Sequence, residues 1–86
     1  GFSKMLANYK EINYSFSLIE QEPGSFSLSM RSKIGFNIRI IAEKLGGGGH
    51  ICAAGATIKA KNIDEAINLV LSTITENKEE MKNATI

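Results

Sequence analysis

Four consecutive glycines, Gly46 to Gly49, run into the only histidine of the chain, His50. Such a run loses more backbone entropy on folding than any other tetrapeptide, so a compact domain carries it where main chain has to approach something closely. Unhindered N–H groups in series form an anion nest, and a protonated imidazole at their end adds a charge-assisted donor for phosphate. Ala53-Ala54-Gly55 continues the small side chains, which makes Gly47, Gly48, Gly49 and His50 a candidate floor for a phosphate or a ribose. The alternative is a helix cap followed by a flexible linker, with His50 an ordinary surface residue. No Lys-Ser/Thr follows the run, so it is not a Walker loop; it follows a helical pattern and not a strand, so it is not a Rossmann turn.

A second chemical element is Ser29-Met30-Arg31-Ser32-Lys33. Alternation sets Ser29 and Arg31 opposite the apolar Phe26, Leu28 and Met30, and an arginine fork at a strand end can grip a phosphate bidentately while Ser32 or Lys33 adds a donor. The alternative is a polar edge facing water. Cys52 has only His50 as a neighbouring base and reads as a small, half-buried thiol, not a nucleophile. Asp64, Glu65, Glu76, Glu79 and Glu80 read as helix caps and solvated faces, with no carboxylate pair spaced as metal ligands.

The elements that must position these groups follow from periodicity. Good helix formers over residues 3 to 12 predict a short helix. From Tyr14 the period becomes two: Tyr14, Phe16 and Leu18, then Phe26, Leu28 and Met30, alternate with polar residues and predict two strands. Glu22-Pro23-Gly24-Ser25 between them has type II turn chemistry, so the strands form an antiparallel hairpin. Asn37 is an expected N-cap for a helix whose face is Ile38, Ile41, Ala42 and Leu45, ending at Gly46. Ala56 to Ala60 predicts a third strand with Ile58 inward. A last helix, capped by Asp64, buries Ala66, Ile67, Val70, Leu71 and Ile74, and the tail beyond Lys82 is expected to fray. The expected fold class is α+β: a small mixed sheet of at least three strands, including the hairpin, with helices packed on it.

Composition narrows the field. Eighty-six residues suffice for one small domain. With 43% hydrophobic and 22% charged residues, disordered and low-complexity character are unlike this chain. One cysteine and one histidine exclude a disulfide within the chain and a structural zinc cluster. A net charge of +1 is too small to attract duplex nucleic acid by bulk field, so any anion binding is local. No apolar stretch approaches membrane-spanning length, and the N-terminus lacks signal-peptide order, so a cytoplasmic location is expected. The chain opens Gly1-Phe2 without an initiator Met, which leads to the expectation of a segment from a longer protein.

Taken in order, the Ser29–Lys33 strand, the Asn37 to Leu45 helix and the string Gly46-Gly47-Gly48-Gly49-His50-Ile51-Cys52-Ala53-Ala54-Gly55-Ala56 resemble the DHHA1 domain of DHH-family phosphoesterases. Within that group the full glycine run and the serine-arginine-serine strand most resemble the nanoRNase/pAp phosphatase branch, which trims very short oligoribonucleotides and dephosphorylates 3'-phosphoadenosine 5'-phosphate (pAp). Cyclic-di-AMP phosphodiesterases are similar too. The resemblance implies that residues 1–86 are a substrate-binding domain, the C-terminal fragment of a longer enzyme. A preceding DHH domain would hold two metal ions, usually manganese; no Asp-His-His occurs in this chain, so the fragment is expected to be inactive in isolation. By the same resemblance, Gly47 to His50 would face the metal cleft with His50 near the scissile phosphate. Arg31 and Ser32 would hold the nucleotide's other phosphate or its terminal end. The family often has Asn or another polar residue where Cys52 stands. The implied partners are a short single-stranded RNA or nucleotide and the chain's own DHH domain, with no membrane; a homodimer stays open. A stand-alone nucleic-acid-binding module without hydrolytic activity is the alternative from another class.

Overall fold

Alternating hydrophobic residues pair in the structure, a computed structural model that describes residues 6–82, as a five-stranded sheet. Its strands are β1 Leu6–Lys10, β2 Tyr14–Glu22, β3 Ser25–Ser32, β4 Gly48–His50 and β5 Ala53–Lys59, in the spatial order β1-β2-β3-β5-β4. Helix α1 (Arg39–Lys44) lies between β3 and β4 in the chain, and α2 (Ile63–Glu76) and α3 (Lys78–Lys82) follow β5. The expected β2–β3 hairpin forms around Pro23-Gly24, with Gly24 at φ 83.

The fold class is the expected α+β, but every pairing is antiparallel where a mixed sheet was expected. β3 and β4, joined through α1, do run the same way. β5 returns through a tight hairpin after β4 and inserts between them, antiparallel to both.

One face of the sheet carries the core. Phe16, Leu18, Phe26, Leu28, Met30 and Ile58 point to it and are at most 3% exposed. They pack in one cluster with Ile38 and Ile41 before and on α1, Ala66, Val70 and Ile74 on α2, and Met81 on α3. Burying side chains of this size stabilises by about 1.5–3 kcal/mol each.

Three expectations are corrected. The described part of the 3 to 12 segment is not a helix: residues 6–10 form β1, and residues 3–5 lie outside the described residues. Tertiary pairing overrides helix propensity here, because Ala7 and Tyr9 alternate inward and the Tyr9 ring stacks on Phe16 at 5.1 Å. The cap of α2 is Asn62, not Asp64. Asn62 is extended and its Oδ1 accepts from Glu65 N at 2.9 Å, which leaves Asp64 inside the first turn, where its charge suits the helix dipole. The third strand begins at Ala53, three residues before the expected Ala56. The tail beyond Lys82 lies outside the described residues.

Candidate functional site

The glycine run is divided by role. Gly46 and Gly47 end α1: Gly46 takes φ 89, its N–H donates to Glu43 O at 3.0 Å, and Gly47 N–H donates to Ala42 O at 2.8 Å. From Gly48 the chain is an edge strand, not the nest expected of a glycine loop, paired as Gly48 with Gly55, Gly49 with Ala54 and His50 with Ala53. A side chain on Gly47 would collide with the Gly55 carbonyl and with Ala56 Cβ at 2.6 Å. On Gly49, at φ 140, it would meet Ala54 Cα at 2.6 Å. At Gly48 a Cβ would meet nothing within 4 Å. Close approach to β5 thus accounts for Gly47 and Gly49, whereas Gly48 has no such requirement.

The turn after β4, Ile51-Cys52, is tied down on both sides. Ile51 O accepts from Ile38 N at 2.9 Å and Cys52 O from Ser32 N at 3.0 Å, so the start of α1 and the end of β3 hold His50 in place. The Cys52 thiol lies 3.6 Å from the Lys33 carbonyl, to which it is a weak donor. At the other end of the turn region, Asn37 Oδ1 accepts from Arg39 N at 3.0 Å, but the N-cap of α1 is Ile38, one residue later than expected, and it makes no side-chain cap bond.

The register then decides which side chains meet. Lys10 pairs with Ser15, Ser15 with Arg31, Arg31 with Ala53, and Ala53 with His50, so these five residues form one row across all five strands. The next row on the same face is Asn8, Ser17, Ser29, Gly55 and Gly48. Both rows alternate with the core residues and lie on the open face, away from the helices. Arg31 and His50, both exposed, are two strand spacings apart, roughly 10 Å, with only the Ala53 methyl between them.

Of the six residues expected to bind substrate, Arg31, Gly48 and His50 come together on this face. Ser32 does not join them: it alternates to the other side, and its hydroxyl donates to Phe36 O at 2.6 Å. Gly47 and Gly49 serve the contact with β5. Sequence reasoning missed Lys10 and Ser15. The alternation of Tyr14 and Phe16 already turned Ser15 outward, but its place beside Arg31 needed the register, and the helix expected over residues 3 to 12 hid Lys10.

A shallow depression of about 430 Å³ opens on the same face, lined by Asn8, Lys10, Ser15, Ser17, Ser29 and Arg31, with Tyr9 and Phe16 completing its floor. No carboxylate lines it. A second cavity, about 310 Å³, opens on the helix side between the β1–β2 turn and the ends of α2 and α3. Its character is different. Glu11 stands in it and accepts from the Tyr9 hydroxyl at 2.6 Å, and Tyr14 and Met81 add to its walls. That bond, then burial and the Glu11 charge, push the Tyr9 pKa up to about 12; burial, then Glu11, raises that of Tyr14. Its wall mixes that carboxylate with Lys78 and Lys82.

The DHHA1 domain family matches residues 1–76. The chain belongs to that family. It is 38% identical over 71 residues to the bifunctional oligoribonuclease and PAP phosphatase NrnA of Thermus thermophilus, covering 83% of this chain and 22% of that protein. It is 40% identical over 57 residues to the protein of the same name from Mycoplasma pneumoniae, covering 66% of this chain and 17% of that protein. The chain therefore spans about a fifth of the length of these curated relatives. Among the described residues, no three His, Cys, Asp or Glu side chains lie together as metal ligands, so this DHHA1 domain does not itself offer a fit for manganese. No helix among them is long and apolar enough to cross a membrane.

Proposed function

We propose that this DHHA1 domain is the nucleotide-holding lobe of a metal-dependent phosphoesterase acting on short oligoribonucleotides and pAp. The observation that carries the reading is the convergence of Arg31, Gly48 and His50 on one open face, across the small Ala53, in a chain similar to two NrnA proteins. Arg31 supplies a planar fork for two phosphate oxygens, His50 a donor beside a second phosphate, and Gly48 a surface without side chain over which the ligand lies. In this reading the lobe contributes binding and orientation and does no chemistry alone. The metal ions, manganese by the family resemblance, would belong to a DHH domain outside this chain.

The test is Arg31→Lys in the full-length protein. Charge is kept, but a compact ammonium does not reproduce the bidentate fork, so pAp affinity falls by about tenfold while the unfolding temperature stays the same, since Arg31 is exposed. Wild-type affinity in the Lys variant would reduce Arg31 to solvent-facing polarity and remove the main phosphate contact from the proposal.

A further inference from the structure

We infer that the depression between Lys10 and Arg31 is a second nucleotide subsite, which takes the adjoining ribose and phosphate of an oligoribonucleotide whose first phosphates sit at Arg31 and His50. This rests on the function proposed above and extends it to a part of the sheet that the glycine run does not reach.

Three observations carry it. The first is register: Lys10 stands in the same row as Arg31 and His50, two strand spacings beyond Arg31, so the row presents the Lys10 ammonium, the Arg31 guanidinium and the His50 imidazole at roughly 10 Å intervals across the sheet. The second is unused hydrogen-bonding capacity. Among the described residues the ion pairs are Arg39 with Glu43 and Lys82 with Glu79, which leaves Lys10 and Arg31 without a carboxylate partner. The hydroxyls of Ser15, Ser17 and Ser29 and the Asn8 amide, which line the depression, take part in none of the side-chain hydrogen bonds found there either. The third is charge complementarity: the lining of the depression holds two cations and no carboxylate, whereas in the cavity on the helix side Glu11 stands with Lys78 and Lys82.

Cations at the rims with hydroxyls and an amide between them match a sugar-phosphate unit: phosphate oxygens toward Lys10 and Arg31, ribose hydroxyls toward the serines and Asn8. No Phe, Tyr or Trp stands in the two outward rows, since Tyr9 and Phe16 alternate inward and stack on each other. The subsite therefore offers bases no Phe, Tyr or Trp face, and its hydroxyls, amide and cations suit the sugar-phosphate backbone.

The experiment uses the full-length protein with metal chelated, so that binding is measured without turnover. Calorimetry compares pAp with a 5'-phosphorylated adenylate trinucleotide for wild type, Lys10→Gln and Lys59→Gln, the last removing an outward cation remote from the depression. Lys10→Gln is expected to lower the ratio of trinucleotide to pAp affinity about tenfold and to reduce the salt slope of trinucleotide binding by roughly 0.7, the contribution of one phosphate contact on a single strand. Lys59→Gln is expected to leave that ratio alone. An unchanged ratio in Lys10→Gln, with Arg31→Lys still weakening both ligands, would overturn the subsite while sparing the proposed function. Binding of neither ligand by the wild type would overturn both.

Discussion

The two faces of the sheet are made by alternate residues of the same strands, and they differ in almost every physical respect. Toward the helices stand Phe16, Leu18, Phe26, Leu28, Met30 and Ile58, sealed under α1, α2 and α3. Toward the open side stand Lys10, Ser15, Ser29, Arg31, Gly48 and His50. The difference teaches that the fold is secured by one set of positions and leaves the other free to serve a ligand. The glycine run repeats the contrast within four residues: Gly47 and Gly49 answer to β5, Gly48 to nothing within 4 Å.

The largest effect should come from the covered face. Phe26 is fully buried, and Phe26→Ala is expected to cost about 3–5 kcal/mol of stability, read by urea unfolding. A loss below about 1 kcal/mol, the size usual for surface substitutions, would mean that this face is not the core.

Much of that face was legible in the sequence. Period-two runs from Tyr14 and Phe26 flanking Pro23-Gly24 announced the hairpin, and the spacing of Ile38, Ile41 and Ala42 announced α1, because burial imposes its period on the residues that undergo it. The open face was less legible. Ser29, Arg31 and His50 were identifiable by type, but their meeting depends on β5 inserting between β3 and β4, a long-range choice that no local pattern encodes. β1 was misread because Leu, Ala and Lys favour helices, and only pairing with β2 makes LANYK a strand. At Gly47 and Gly49, close approach to a neighbouring strand and close approach to a ligand call for the same residue, so residue type alone does not separate the two.

Within the glycine run, the contrast predicts an intermediate effect. Gly47→Ala forces a methyl into the Gly55 carbonyl and Ala56, and is expected to lose roughly 1–3 kcal/mol, whereas Gly48→Ala is expected to leave thermal unfolding nearly unchanged. Equal losses at the two positions would erase the division of roles.

The smallest effect concerns the helix-side cavity and its carboxylate. The Tyr9 pKa is pushed up to about 12, above the 10.0 of a free tyrosine, first by the hydrogen bond to Glu11 and then by burial and the Glu11 charge. Because the folded value is the higher one, the stabilisation is complete below pH 10 and is lost as pH rises toward 12. The stability difference between wild type and Tyr9→Phe should therefore be constant below pH 10 and shift against the wild type over that window. A difference that is flat to pH 12 would show that the Tyr9–Glu11 bond does not persist in solution.

The central claim, that the open face at the glycine run lies against a nucleotide, is tested most directly by Gly48→Val in the full-length protein. The position is an edge strand with open space for a Cβ, so a β-branched residue is tolerated by the fold and suits the strand. The account predicts an unfolding temperature equal to or above that of the wild type, with pAp affinity by calorimetry reduced at least tenfold because the side chain fills the ligand's approach. Wild-type affinity in a well-folded Val variant would contradict it.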